Sequence, residues 1–306
     1  MTDFTTEGNL MDSPEVIKAK RSCDALYTAY QKGQILEAVA NVCDCEHNLH
    51  VGLGCMPGII PRDEGALGIK EGTTRDIALI SRVNKPVQFI ITGFEENAFG
   101  QRTAILSRRA VQLKCTEEYC NRLVPGDIVP AKVTHLEKFG AFVDMGAGIN
   151  SLIPIDMLSV SRISHPDRRV KVGENIRAVV RNTSESKITL SLREMLGTWE
   201  ENAAKFSVGE TVTGIVRSVE SYGIFIELTP NLAGLSEPNE FAKTGDTVAV
   251  YIKSIIPQKM KIKLTIIDIF DERQPSVEKI YFPKSSHMDY WRYSPDVCDK
   301  VIETIF

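Results

Sequence analysis

Short runs in which apolar and polar residues alternate recur along most of the chain. In one of the clearest, residues 128–134, the apolar Val129, Ala131 and Val133 alternate with a following Pro, Lys and Thr. Alternation with a period of two is typical of a β-strand that buries one face and exposes the other. Because glycine-containing turns separate these runs, we predict short strands that close into small barrels or sandwiches.

Three other segments carry apolar residues at helical spacing, at residues 14–31, 108–123 and 192–206. In the first of them, Ser13 and Pro14 are residue types that favour a helix N-cap and a first helical turn. The two patterns together predict an all-β protein with helical connectors.

One of the strand patterns is repeated. FGAFV at residues 139–143 recurs as YGIFI at residues 222–226, and each copy closes on a similar strand, KITLS in one and KIKLT in the other. A weaker third copy lies earlier in the chain, where His47 and His50 stand at the two aromatic positions. Repetition of this kind indicates tandem copies of one small domain.

The spacing of the copies predicts five segments along the chain. A helical N-terminal segment, a degenerate copy, two better copies and an aromatic-rich tail span residues 1–32, 33–110, 124–193, 207–270 and 271–306. We expect the tail to pack against the third copy, because a solvated tail has no need of so many large rings. Its last residues, 298–306, are compatible with one or two helical turns.

The aromatic residues of the repeated motif raise a question of geometry. Phe139 and Phe142 are three residues apart, as are Tyr222 and Phe225. In a regular strand this spacing places the two rings on opposite faces. We expect Phe139 and Tyr222 to be exposed, and the glycine after each to host a bulge that brings both rings to one face. The alternative, that Phe142 and Phe225 belong to the core, stays open.

The ordered set of glycine turns, paired aromatics and closing strands resembles the S1 RNA-binding domain family, and the tandem arrangement is similar to that of the bacterial ribosomal S1 family. The resemblance covers about residues 33–270. It implies three tandem five-stranded OB-fold barrels and a role in translation through binding of single-stranded RNA, including mRNA. It also implies docking to the small ribosomal subunit, for which the first copy or the tail is the candidate.

The resemblance and the residue types together suggest the RNA contacts. Flat rings stack on bases without sequence preference, and Lys and Arg supply salt-dependent phosphate contacts. We expect the stacking residues to be Phe139, Phe142, Tyr222 and Phe225, with His165 as a further one. The cations predicted to face outwards are Lys132, Arg162, Arg168, Arg169, Arg181 and Lys187 in the second copy, and Arg217, Lys253, Lys261 and Lys263 in the third.

Charge bears on the choice between nucleic-acid partners. The net charge of −4 argues against a strong binder of duplex DNA, and residues 111–196 carry the only basic excess, with 12 Lys and Arg against 10 Asp and Glu. A second hypothesis is a scaffold of OB barrels that binds proteins in an RNA-processing or ribosome-linked assembly and binds RNA only weakly. The net acidity favours it, as does the lack of the family's usual third-strand histidine, where Pro154 and Glu237 stand instead.

Other classes of function find little support. No apolar run approaches the roughly 20 residues of a membrane span, and the polar N-terminus has no signal pattern, so we expect a cytoplasmic protein with reduced cysteines and no membrane partner. The segment CDCEHNLHVGLGC, residues 43–55, holds residue types that zinc favours, but Cys-x-Cys is not the common finger spacing, so we expect no metal and no cofactor. Since the chain has no phosphate loop, nucleophile elbow or metalloprotease helix, we predict neither an enzyme nor a small-molecule substrate.

Overall fold

The computed structural model describes residues 4–183, 187–270 and 279–306, and most of its regular structure is strand. Three five-stranded barrels follow one another along the chain, each closed by hydrogen bonding between its strands. The predicted fold class, three tandem OB-type barrels, is therefore confirmed. Within the described ranges, no helix is both long enough and apolar enough to cross a membrane.

The chain divides into two compact units. The first comprises Met1–Leu123 and Asp144–Asn150, and the second comprises Val124–Val143 and Ser151–Phe306. The second and third barrels therefore share the second unit, apart from one turn of the second barrel.

Two helices precede the first barrel, α1 (Pro14–Ala19) and α2 (Cys23–Gln31). The single helix predicted over residues 14–31 is therefore broken. The reason is local: the side chain of Ser22 accepts a hydrogen bond from the backbone N–H of Ala25, so it caps a new helix instead of continuing the old one.

The first barrel is built from β1 (Leu36–Cys43), β2 (Leu49–Gly52), β3 (Pro57–Ile60), β4 (Pro86–Glu96) and β5 (Arg102–Ser107), with the short helix α3 (Ile77–Ile80) between β3 and β4. The strand order is β1-β2-β3-β5-β4, and β3 pairs with β5 in parallel. Leu36, Phe89 and Leu106 are fully buried at its centre. Helix α4 (Arg108–Glu118) follows β5 and is succeeded by a 3-10 turn, Cys120–Arg122, so it is shorter than predicted.

The second barrel is built from β6 (Ile128–Glu137), β7 (Gly140–Asp144), β8 (Asn150–Pro154), β9 (Asn175–Asn182) and β10 (Thr189–Ser191). Its strand order is β10-β8-β7-β6-β9, and β10 pairs with β8 in parallel. Val129, Ala131 and Val133 are all buried, so the alternation that suggested this strand is the alternation of core and surface.

A 3-10 turn, Arg193–Leu196, and the short helix α5 (Trp199–Ala203) connect the second barrel to the third. The continuous helix predicted over residues 192–206 does not form, because Gly197 between them adopts a positive φ of 82°. A capping box between Thr198 and Glu201 then begins α5.

The third barrel is built from β11 (Thr211–Glu220), β12 (Gly223–Thr229), β13 (Leu232–Ser236), β14 (Thr247–Ile256) and β15 (Lys261–Phe270). Its strand order, β11-β12-β13-β15-β14, matches that of the first barrel. Val216, Ile226 and Val250 are fully buried in its core.

The end of the chain forms a two-stranded antiparallel sheet, β16 (Tyr290–Arg292) and β17 (Glu303–Ile305). The helical turns considered for residues 298–306 are therefore wrong. Trp291 and Tyr293 are buried in the same apolar cluster as the core of the third barrel, so the tail packs against this barrel as predicted. Residues 271–278 of the predicted tail lie outside the described residues.

Candidate nucleic-acid interface

The first aromatic pair lies at the start of β7. Phe139 is the second residue of the two-residue turn after β6, and Phe142 is the third residue of β7. Their ring centroids are 5.9 Å apart and the ring planes meet at 88°, an edge-to-face contact. Phe139 is 56% exposed and Phe142 is half-buried, whereas Ala141 between them is fully buried.

The third barrel repeats this arrangement. Tyr222 is again the last residue of the turn and Phe225 the third residue of its strand, with ring centroids 6.2 Å apart and ring planes at 87°. Tyr222 is 65% exposed, Phe225 is half-buried, and Ile224 between them is fully buried. Both pairs therefore lie on the outer surface, and the alternative that Phe142 and Phe225 belong to the core is wrong.

The reason lies in the turn. Phe139 and Tyr222 precede their strands, so strand alternation, which would have placed each pair on opposite faces, does not apply to them. The glycine after each of these residues is explained by a close backbone contact and not by the bulge that we predicted. A Cβ on Gly140 would lie 2.4 Å from the carbonyl oxygen of Ile153, and one on Gly223 would lie 2.6 Å from that of Ser236. Glycine is present because the neighbouring strand comes too close for any side chain.

A third ring extends the first pair, and the sequence pattern did not indicate it. His135 is stacked on Phe142 with a centroid distance of 6.4 Å and an interplanar angle of 28°, and it contacts Glu137 at 2.8 Å. Period-two alternation after Val133 would place His135 inside the barrel, but the histidine is exposed near the end of β6. The matching residue in the third barrel is Ser218, which pairs with Phe225.

The first barrel lacks such a pair. His50 occupies the position of Phe142 in the strand, and its Nε2 lies 2.9 Å from Oδ2 of Asp44 in the preceding turn. The hydrogen bond from His50, helped by those from Asn48, lowers the pKa of Asp44 to about 2. His47 adopts a positive φ of 64° in the same turn. His50 is therefore bound to a turn, and the first barrel has no ring pair at the strand position that carries it in the other two; its partly exposed rings lie elsewhere, where Phe94 of β4 contacts Tyr27 and Tyr30 of α2.

Several predicted cations lie on the surface with the rings. In the third barrel, Phe225 pairs with Leu235 and Leu235 pairs with Lys263, so this lysine lies in the same row of the outer face. Two strand spacings separate it from the ring, roughly 10 Å. The other predicted cations that are exposed are Arg162, Arg168, Lys187, Lys253 and Lys261, whereas Lys132 is half-buried. Lys253 also contacts the exposed Glu237, a pair of little energetic weight.

Two of the cations that were predicted to face outwards instead bind a buried carboxylate within the second unit. Arg169 donates to both carboxylate oxygens of Glu227, at 2.9 and 2.8 Å, and its side chain is only 3% exposed. Arg217 donates to the same two oxygens at 2.9 and 2.7 Å. The prediction that Arg169 faces solvent is wrong. Both Arg169 and Arg217 are bound to Glu227 because a buried carboxylate requires cationic partners.

The carboxylate of Glu227 is the centre of this group. Burial alone would raise the pKa of Glu227, but the hydrogen bonds and charges of Arg169 and Arg217 outweigh it, so the pKa lies below the ordinary value. Two guanidinium groups thus keep the carboxylate ionised although its side chain has no exposed surface.

Two further predicted residues have structural partners. Arg181 donates to the carbonyl oxygen of Ile305 at 2.9 Å and lies 5.7 Å above the ring of Phe306, so it holds the end of the chain. His165 accepts a hydrogen bond from the backbone N–H of Asp167 at 3.2 Å and caps a short 3-10 turn. Across the described ranges, no cluster of His, Cys, Asp or Glu is placed to hold a metal ion.

The sequence of the second barrel was compared with known protein families. Residues 123–193 match the family described as the S1 RNA binding domain. The second barrel therefore matches the S1 RNA binding domain family over its whole length, and the resemblance drawn from its motif is confirmed for this barrel.

Curated relatives carry the name small ribosomal subunit protein bS1. The Streptococcus pneumoniae protein is 31% identical over 151 residues, which cover 47% of this chain and 38% of that protein. The Staphylococcus epidermidis protein is 34% identical over 104 residues, which cover 32% of this chain and 26% of that protein. The chain thus matches less than two fifths of the length of these relatives.

Solved structures give weaker likenesses. A multidomain protein with nucleic acid binding domains from Streptococcus pneumoniae covers 77% of this chain and 74% of its own at 12% identity, with a TM-score of 0.25. The archaeal a/eIF2alpha–aDim2p–rRNA complex from Pyrococcus horikoshii matches 27% of this chain and 51% of its own at 24% identity, with a TM-score of 0.23.

Proposed function

We propose that this protein binds single-stranded RNA through the outer faces of its second and third barrels and acts in translation. The observation that carries the proposal is the recurrence of one ring geometry on two barrels, Phe139 with Phe142 and Tyr222 with Phe225. The S1 match of the second barrel supports the proposal independently.

The chemistry of the surface suits an unpaired strand. A base can stack on an exposed ring at about 1–3 kcal/mol per base without regard to its identity. Exposed cations such as Arg162, Lys187 and Lys263 would supply the phosphate contacts, which weaken as salt rises. A duplex offers no free base faces, so we expect it to bind more weakly than a single strand.

The first barrel, which lacks the ring pair at the equivalent strand position, is proposed to dock to protein instead. The name of the bS1 relatives suggests the small ribosomal subunit as the partner. In this proposal the RNA, including mRNA, is held by the second unit while the first unit provides attachment. The partner is tested by sedimenting the full chain, and a variant with Phe139, Phe142, Tyr222 and Phe225 replaced by Ala, with purified small subunits. Attachment that the variant keeps supports docking through protein, and attachment lost with the rings contradicts it.

RNA binding is tested by fluorescence anisotropy with a labelled, unstructured RNA of roughly 12 nucleotides, a length within the span of single-strand sites. Titrations at about 50 and 200 mM salt should show weaker binding at the higher concentration. Phe139→Ala combined with Phe142→Ala should weaken binding, whereas Phe99→Ala, which removes a 95% exposed ring from a hairpin of the first barrel, should not. Equal affinity of both variants and the wild type would sink the proposal.

A further inference from the structure

A loop of the second barrel is fastened to the third barrel at both of its ends. At one end, Val160 packs against the apolar cluster of the third barrel, and its backbone N–H donates to Oδ1 of Asn231 at 3.0 Å. At the other end, Arg169 donates to both carboxylate oxygens of the buried Glu227. The residues between these anchors, 161–168, are therefore held in place beside the third barrel, and the first four of them line the cleft described next.

The held loop forms one wall of a cleft whose other wall carries the second aromatic pair. The cleft has a volume of about 540 Å³, within the roughly 300–1,000 Å³ of ligand sites. The loop contributes Ser161, Arg162, Ile163 and Ser164, and the barrel contributes Arg217, Ser218, Glu220, Tyr222, Phe225 and Ala233.

The chemistry of the cleft is divided between its two walls. The barrel wall has the exposed ring of Tyr222 against the edge of Phe225, a surface on which a base can stack. The loop wall has Arg162, whose guanidinium is exposed, whereas Arg217 is held by Glu227. Glu220 on the barrel side repels a phosphate, so a nucleotide would direct its phosphate towards the loop.

We propose that this cleft is a nucleotide-binding site in which Tyr222 and Phe225 hold one base of a single-stranded RNA and Arg162 of the neighbouring barrel holds its phosphate. The proposal rests on the proposed RNA binding, and it adds that the third-barrel site is incomplete without a loop of the second. In this proposal the second and third barrels bind RNA as one continuous surface, because the loop that completes the site is fixed to both.

Shared contact with one nucleotide predicts coupling between substitutions, because groups that act on the same ligand are not independent. Tyr222→Ala should weaken binding of the labelled RNA by about 5- to 150-fold, the range of one stacked base. Arg162→Ala should weaken binding as well, but the double variant should lose less than the product of the two single losses.

Arg168→Ala is the matched control. Arg168 is an exposed arginine of the same loop that lies outside the cleft and contacts Asp167 at 3.7 Å. Its effect should multiply with that of Tyr222→Ala. If Arg162→Ala also multiplies with Tyr222→Ala, the composite site is overturned while RNA binding stands. If the wild type binds no RNA at all, the proposed function itself fails.

A second measurement does not depend on substitutions. The full chain is irradiated with an RNA that carries 4-thiouridine, and the crosslinked peptides are identified by mass spectrometry. Crosslinks to the 161–164 loop together with Tyr222 or Phe225 are expected. Crosslinks confined to the first aromatic pair would overturn the composite site.

Discussion

Glu227 is the carboxylate whose removal should disturb the second unit most. Its side chain has no exposed surface, and four hydrogen bonds of 2.7–2.9 Å join it to Arg169 and Arg217. Glu227→Gln keeps the shape but replaces one acceptor oxygen by an amide that points hydrogens at guanidinium donors. Two largely buried cations then lack their counter-charge, and breaking a buried pair in this way costs about 3–5 kcal/mol.

The free energy of unfolding can be measured with the protein's own reporters. Both tryptophans, Trp199 and Trp291, lie in the apolar cluster of the third barrel, so urea unfolding followed by tryptophan fluorescence reports on the second unit. With a slope of about 2 kcal/mol per M, the expected loss moves the midpoint by about 1.5–2.5 M. Glu220→Gln is the control, since it replaces an exposed carboxylate of the same barrel by a carboxamide, and it should change the free energy of unfolding by less than about 0.5 kcal/mol.

Acidification provides an internal check on the same group. The pKa of Glu227 lies below its ordinary value of 4.5, because the two arginines outweigh the effect of burial. Its contribution to stability is therefore present above that ordinary value and is lost as the pH falls through the lower, folded-state pKa. The stability difference between the wild type and Glu227→Gln should shrink accordingly. A loss below about 1 kcal/mol at neutral pH would refute the reasoning, since an unpaired buried charge costs more.

Three further outcomes follow from individual contacts. Gly140→Ala should destabilise the second barrel by about 1–3 kcal/mol in urea unfolding, because its Cβ would meet backbone at 2.4 Å, whereas Gly93→Ala, which meets nothing within 4 Å, should be near neutral. Hydrogen bonding to Asp127 raises the pKa of His287. The contribution of His287 to stability is therefore present below its ordinary pKa and is lost as the pH rises through the raised folded-state pKa. Asp127→Asn should lower the pKa of His287 measured by NMR. Arg181→Ala should speed hydrogen exchange in β17, and unchanged exchange would contradict its role in holding the chain end.

The barrels could be predicted from the sequence because their signal is local and repeated. Val129, Ala131 and Val133 alternate with polar positions, and that period of two is the physical consequence of a strand with one buried face. The motif then recurs with its glycine turns, so one strand assignment supported the others. The same local logic failed for the chain end, where a segment too short to show a period pairs as a strand.

The site could be predicted only in part, since its cations depend on contacts between distant residues. Arg168 and Arg169 are neighbours in one loop, yet the first is exposed and the second is bound to a carboxylate 58 positions away. No composition or spacing distinguishes them. His135 was missed because alternation predicts an inward side chain, whereas the residue is exposed. In the matching strand of the third barrel the register shifts between Val216 and Ser218, the residue equivalent to His135, and a regular alternation takes no account of such a shift.

The two aromatic pairs are proposed to bind RNA, and the affinity of a single variant that lacks both pairs is the most direct test. Phe139, Phe142, Tyr222 and Phe225 are replaced together by Ala in the full chain, and circular dichroism checks that the barrels remain folded. Anisotropy with unstructured RNA should show a loss of at least about 30-fold, because two lost stacked bases at about 1 kcal/mol each already cost about 2 kcal/mol. A folded variant that binds RNA with wild-type affinity would contradict the account.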